Sequence, residues 1–524
     1  MRKIIKFIFA FITLFSLAGC NSSEKQVKTI DIKLTDENYA FVIKKGNVVL
    51  QESFNEFLNE IKEDGTFDEI VAKYFEGIGE KKGVEYVTAA TTLNDDNTFV
   101  VATNCPFSPF EYIDSDGLMY GIDIEIAKLY AESTNQDLVV KNIDFDSIFT
   151  NVDSNYADIG MAGITVTNER EMLYDFTIPY YSASQKLVVS SNNDLFDNCV
   201  TPNDVEKVLK ELKDVSLGYQ IGTTGNWYVE GDDDWGFDGF DNVEGKGYKT
   251  AQLAIQDIVN GQLMGVVVDE APGTAIVNSI NDNSSMNWAN KFKIFTDAIK
   301  QPKTLELVLT GLLNTLLIAV IGLVIGIVIG TLIAIVKVAP KYKKVMKVLD
   351  KICDAYVSIF RGTPIVVQLL VAYYVLLPML SISGVSALAV GIVVFGLNSG
   401  AYVSEIMRGG INSVDSGQLE AGRALGLSYN QTMIRIVIPQ ALKNILPTLG
   451  NEFISLIKET SVVSFITIVD LYTAFNTIGT NTYSVVVPYL FMAVIYVLLG
   501  VIISLLIKLI ERRLAKNDRS HQSK

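Results

Sequence analysis

Five apolar runs in the second part of the chain decide most of what it can fold into. They lie near Leu307–Val336, Pro364–Leu380, Val385–Val403, Leu449–Val469 and Val485–Ile510. As helices, such runs have the length needed to cross a bilayer core. The charge divides at the same place. Of 43 Lys+Arg and 59 Asp+Glu, the stretch from Lys303 onward holds 19 and 11, net +8, leaving net −24 for what precedes it. An acidic soluble half before a basic membrane half is the pattern of an exported domain joined to a membrane domain. Lys337, Lys341, Lys343, Lys344, Lys347 and Lys351 form one basic loop. Arg408, Arg423, Arg435 and Lys443 lie in another, and Arg512, Arg513 and Lys516 in the tail. With the soluble half outside the cell, all three fall inside.

Other residues exclude function classes. The single histidine, His521, sits in a polar tail and leaves no Ser-His-Asp, Cys-His or multi-histidine metal chemistry. No G-x-x-x-x-G-K-[ST] phosphate loop occurs, so the chain is not its own ATP motor. Nothing points to nucleic acid. Met1 to Cys20 reads as a secretory signal peptide, with Arg2, Lys3 and Lys6 before an apolar Phe7–Phe15. Leu17-Ala18-Gly19-Cys20 resembles a bacterial lipobox, which implies lipidation at Cys20; an uncleaved signal anchor is the alternative.

Between the apolar runs, Gly417–Leu449 is amphipathic and reads GQLEAGRALGLSYNQTMIRIVIPQALKNILPTL. Glu420-Ala421-Gly422, then Gly426, Ile436 and Pro439, resemble the EAA loop of ABC importer permeases, with Gly422 where the family has Ala. In that family the loop is a cytoplasmic helix-turn-helix that docks on a separate ATPase subunit. The resemblance implies that Glu420, Ala421, Gly422, Gly426 and Pro439 form the coupling surface. Small side chains would let the partner approach, Gly426 would reverse the backbone, and Pro439 would break the second helix. Arg361-Gly362-Thr363-Pro364 with Gln368, Ala401-Tyr402 through Arg408-Gly409-Gly410, and Lys458-Glu459-Thr460-Ser461 resemble polar amino acid permeases in particular. This likeness spans nearly all of 303–515. Gly322, Gly326 and Gly330 recur at four-residue spacing, a helix face suited to close packing.

The soluble half resembles a type II solute-binding protein of the polar amino acid family, in an unusual order. Residues 98–298 carry most of such a domain, with lobe 2 at about 190–266 and hinge strands at Lys186–Ser190 and Val266–Asp269. Cys105 and Cys199 fall in different lobes, so no disulfide framework follows. The closing segment of the family instead comes first, at 27–78: a strand Tyr39–Ile43, a turn at Lys44–Asn47, then helices with Phe54, Phe57, Leu58 and Ile61, and with Phe67, Ile70, Val71 and Tyr74 on one face. A polar linker, 79–97, joins the two pieces. The pieces together amount to one domain, which implies a circular permutation; a tandem-domain remnant is the alternative.

The ligand site follows from the resemblance. Gly163-Ile164-Thr165 through Arg170 matches the family's carboxylate-binding motif, and a guanidinium can hold both oxygens at once. Thr165, Thr223 and Thr224 would complete the cradle, and Asp269 would take the ammonium. Phe107 and Phe145 match the aromatic sandwich. Asn104 and Gln220 match the positions at the ligand's distal end, where two neutral amides suit glutamine, asparagine or cystine better than a charged side chain. The expected protein is therefore an α/β type II periplasmic-binding-protein-like domain, likely permuted, before an all-α domain of about five transmembrane helices. It would be a bacterial plasma-membrane importer subunit with an extracellular, lipid-anchored binding domain. It would act as a homodimer with cytoplasmic ATPase subunits that bind ATP and Mg, itself carrying no cofactor and no metal. An amino-acid-gated channel or a sensor is the alternative.

Overall fold

The computed structural model describes residues 26–522 apart from 88–96, 115–116, 233–236, 285, 287, 340–341, 343, 381 and 383–384. The signal-peptide and Cys20 expectations lie outside the described residues. The chain forms two compact units, one holding the described residues up to 306 with 476–489, the other 307–475 and those from 490 on.

The first unit is built on two sheets. One runs Tyr174–Phe176, Val42–Lys44, Ile159–Gly160, Thr98–Thr103, Asp137–Asn142, Tyr86–Val87. Val42–Lys44 therefore sits inside the sheet, antiparallel to both neighbours. The helices that follow it, Val48–Glu63 and Thr66–Phe75, bury Phe54, Phe57, Leu58 and Ile61, then Phe67, Ile70 and Tyr74. These join Phe99, Phe110, Ile122 and Tyr130 in one core. The spacing of the apolar residues explains the helices, and the Asn47 side chain caps the first by accepting from the Leu50 amide.

The second sheet runs Val27–Thr29, Gln185–Ser190, Gly265–Asp269, Val215–Gln220, Val243–Tyr248. Its core includes Val27 from the start of the described chain and Ile276, Val277 and Ile280 from the Glu270–Ser284 helix. A two-stranded ribbon, Glu37–Tyr39 with Tyr181–Ala183, lies between the sheets in sequence on both of its strands. The expected single strand Tyr39–Ile43 is thus two strands in different sheets. At the break, the Ala40 amide donates to the Ile164 carbonyl and the Phe41 amide to the Thr177 hydroxyl. These bonds replace ladder partners while the chain passes between lobes.

Among the described residues, three helices are long and apolar enough to span a membrane: Pro302–Val338, Ala387–Asn412 and Val486–Glu511. A fourth span arises only if Lys344–Gly362 and Ile365–Met379, bent by 107°, count as one. The expected loop Lys337–Lys351 is accordingly helical from Lys344. The bend falls at Gly362-Thr363-Pro364, because Pro364 has no amide to continue the ladder. Gln368 Nε2 donates to the carbonyls of Phe360 and Thr363, at 2.9 and 3.0 Å, and Asn398 donates to Gln368 Oε1. Side chains thus satisfy the backbone freed by the bend. The expected run Leu449–Val469 is not a single helix. Ile438–Glu459 ends at the charged Lys458-Glu459 pair, passes into a 3-10 turn at Thr460–Ile466, and stops at Thr467 with φ of +62°.

The glycine face packs on Ala387–Asn412. A Cβ on Gly322 would meet Phe395, one on Gly326 would stand 2.6 Å from the Ser399 hydroxyl, and one on Gly330 would stand 2.7 Å from Val403. Backbones approach where side chains are missing, which is how apolar helices associate in lipid.

Candidate functional site

Arg170 anchors the cavity between the two lobes of the first unit. It lies in the short helix Asn168–Leu173, which Thr167 caps by accepting from the Arg170 amide. Its side chain is buried, with Nη1 donating to the Thr165 carbonyl at 2.7 Å and Nη2 to the Gly222 carbonyl at 2.8 Å. The guanidinium carbon lies 4.7 Å from the centre of the Trp227 ring and 5.0 Å from that of Phe149. Thr165 belongs to lobe 1, and Gly222 and Trp227 to lobe 2, so one cation ties both walls. Burial lowers its pKa to about 10, with Glu37, Asp269 and Glu169 opposing.

The cavity has about 320 Å³ of non-atom space, counting what opens to solvent. Its walls bring together Asn104, Phe107, Phe145, Gly163, Thr165, Arg170, Gln220, Thr223, Thr224 and Asp269, every ligand residue expected from the sequence. Gly163 has φ of +53°, and a Cβ there would stand 2.4 Å from the Phe107 ring. Asn104 and Gln220 face one another: Gln220 Nε2 donates to Asn104 Oδ1 at 3.2 Å, and Asn104 Nδ2 to the Ile143 carbonyl at 2.7 Å. Thr223 precedes the Thr224–Glu230 helix, and its hydroxyl donates to the Gln220 carbonyl.

An acidic cluster adjoins the cavity, with Asp269 on its wall. Asp269 is buried and accepts from the Tyr39 hydroxyl. Burial and then Glu37 push its pKa up, against the Tyr39 and Gln185 hydrogen bonds. Glu37 itself is buried, accepting from the Thr165 hydroxyl at 2.6 Å and the Thr224 hydroxyl at 2.8 Å on one oxygen. Asp123 accepts from the Gly163 amide and the Tyr180 hydroxyl, and burial raises its pKa to about 7. Glu111 lines the cavity too.

Sequence reasoning did not reach Glu111, which lines the cavity, or Glu37, Tyr39, Asp123 and Trp227, which touch residues that do. Glu37 and Tyr39 belong to the early segment, which bridges to the Gly163–Thr165 motif through Tyr39 and Thr165. Glu111 and Asp123 look like ordinary surface charges in a strand-turn-helix stretch. Only the fold buries them.

In the second unit, Glu420 and Ala421 are exposed on the Ser416–Ala424 helix. Gly426 turns the chain with φ of +84°. Two expectations change. Gly422 is buried against Thr432, where a Cβ would stand 2.4 Å from the methyl group, so it serves the fold of the loop and not the exposed surface. Pro439 breaks nothing: it enters the first turn of Ile438–Glu459 after a widened π-turn at Met433–Val437. The wider turn accommodates a ring that a regular helix would exclude.

Residues 322–516 match the family described as binding-protein-dependent transport system inner membrane component. The putative glutamine transport system permease protein GlnP of Rickettsia typhi is 42% identical over 170 residues, 32% of this chain and 78% of that protein. The chain belongs to this permease family. Residues 99–356 of the permease also match bacterial extracellular solute-binding proteins, family 3. It is thus an amino acid ABC permease fused to a binding domain, in a membrane protein that works with an ATPase; its relatives are transporters, not enzymes. The arginine transport system permease protein ArtQ of Bacillus subtilis is 41% identical over 167 residues, covering 32% of this permease and 76% of its own length. A crystal structure of an amino acid ABC transporter with histidines is 38% identical, covering 41% of this permease and 97% of that chain, at a TM-score of 0.37.

Proposed function

We propose that this permease captures a neutral polar amino acid, glutamine in the first place, between the lobes of its own binding domain and passes it through its membrane domain. The convergence of Arg170, Thr165, Thr224 and Asp269 on one cavity carries this reading. A guanidinium backed by aromatic rings suits the α-carboxylate, and a carboxylate suits the α-ammonium. The paired amides of Asn104 and Gln220 can exchange their mutual bond for bonds to a terminal amide at little net cost.

The remaining parts fit an importer of this kind. The binding domain lies outside the cell, held by a lipid on Cys20, and its order is a circular permutation of the usual one. Two copies of the permease pair in the membrane, and two ATPase subunits holding ATP and Mg dock on the loop that exposes Glu420 and Ala421. Fusion holds the binding domain near its pore at roughly millimolar effective concentration.

Calorimetric titration of the full-length permease in lipid nanodiscs with glutamine, asparagine, cystine, arginine and glutamate tests the reading. Tight binding of a neutral amide is expected. Arginine displacing glutamine at equal concentration overturns the ligand class, and binding of none of the five overturns the site.

A further inference from the structure

Glu111 is fully buried on the cavity wall, and neither oxygen of its carboxyl has a hydrogen-bond partner among the described residues. A buried carboxylate left so costs several kcal/mol. Two remedies exist: the group takes up a proton, or a cation arrives from outside. The Arg170 guanidinium on the same wall bonds the Thr165 and Gly222 carbonyls and makes no bond to Glu111. Around Glu111 stand Asp123, Asp269, Tyr180 and Cys105, and Asp269 is further faced by Glu37, Tyr39 and Arg170. Acids dominate this corner.

The ligand chemistry supplies what is missing. An α-ammonium carries three N–H donors, as a lysine head does. One oxygen of Asp269 already accepts from the Tyr39 hydroxyl. The ammonium therefore gains from further acceptors on the same wall, and Glu111 has two free oxygens there.

Building on the proposed amino-acid site, we propose that Glu111 is a second carboxyl for the ligand's α-ammonium, shared with Asp269, and that binding expels its proton. In the empty cavity Glu111 is the neutral acid. When the ammonium enters, the O–H bond of Glu111 breaks, its proton leaves to solvent, and the carboxylate accepts from the ammonium. Burial, then Asp123 and Asp269, hold the Glu111 pKa well above the usual carboxylate range, in keeping with a proton present before binding.

The test uses the full-length permease in nanodiscs, wild type and Glu111→Gln. It compares L-glutamine with 4-carbamoylbutanoate, the same skeleton without the α-amino group. If arginine is the tighter ligand, L-arginine and 5-guanidinopentanoate replace them. Glu111→Gln should weaken the amino acid about 30-fold, as loss of a charge-assisted bond does, and leave the deamino acid nearly unchanged. Titrations near neutral pH in phosphate and in imidazole should show a proton released by the wild type and not by the variant. An equal loss for both compounds, or heats that do not depend on buffer, overturns the proposal. Because Asp269 also meets the ammonium, a Glu111→Gln that does not fold is replaced by Asp269→Asn: proton release that persists there supports Glu111, and its loss overturns the role. A wild type that binds no amino acid overturns the amino-acid site itself, whereas binding without proton release overturns only the role of Glu111.

Discussion

The hydroxyl of Tyr39 donates to the carboxylate of Asp269, joining residues 230 positions apart. Tyr39 comes from the segment that precedes the linker, and Asp269 ends a strand of the second sheet. The early segment therefore contributes to the cavity as well as to the core. Deleting residues 30–77 removes an interior strand and the buried Phe41, Phe54, Phe57 and Leu58. The expected outcome is a first unit that limited proteolysis digests within the time the intact chain resists it, with no amino-acid binding left.

Arg170→Lys separates charge from geometry. A lysine keeps the positive charge but cannot reach the Thr165 and Gly222 carbonyls together or stack on Trp227. Amino-acid affinity, read by calorimetry, should fall by about 100-fold. An unchanged affinity would show that the ligand carboxylate binds elsewhere.

Asp123 makes the first unit sensitive to pH. Its folded-state pKa is raised to about 7, whereas an exposed aspartate titrates near ~4. A raised carboxyl stabilises the fold fully below the unfolded value, and that contribution is lost as pH rises through the folded one. The unfolding midpoint should therefore decrease as pH rises from about 4 to about 7, and Asp123→Asn should reduce that slope. Trp227, Trp235 and Trp288 all precede Lys303, so tryptophan fluorescence, excited apart from tyrosine, reports the stretch before the membrane domain.

Gly422→Ala places a methyl where the Thr432 methyl already sits. Overpacking of this kind costs about 1–3 kcal/mol. The loop should become more susceptible to protease, and uptake should drop. Thr432→Ser, which removes the opposing methyl, should restore both in the double variant. If it does not, the Gly422 side of the helix meets the ATPase after all.

Gly326→Val tests the membrane packing. Its Cβ would stand 2.6 Å from the Ser399 hydroxyl and 3.1 Å from the Ser399 backbone, so the two helices must separate. A melting midpoint in detergent lower by several degrees is expected. The same change at Gly500, where a Cβ meets nothing within 4 Å, should leave it unaltered.

The sequence carried the two-part plan because charge and hydropathy change together near Lys303. The cavity residues were legible through motifs: Gly163 to Arg170 and Asp269 keep their spacing regardless of where the chain begins. What stayed hidden depends on three-dimensional neighbours. The acids Glu37, Glu111 and Asp123 carry no periodic signal, and only their burial makes them part of the site. Hydropathy also misplaced the Leu449–Val469 span, since it averages over the Lys458-Glu459 pair that ends the helix. Pro439 misled for a related reason. A proline signals a break only when the turn before it is regular, and here that turn is widened.

The position of Val42–Lys44 inside its sheet has a consequence for the order of synthesis. Both of its neighbours, Ile159–Gly160 and Tyr174–Phe176, leave the ribosome more than a hundred residues later. Until then Phe41, Ile43, Phe54 and Leu58 have no sheet to cover, and pairings this distant in sequence form slowly. The nascent chain thus passes through its most adhesive stage midway through translation of the first unit, and the same strand that completes the lobe is the one a holding chaperone would find first.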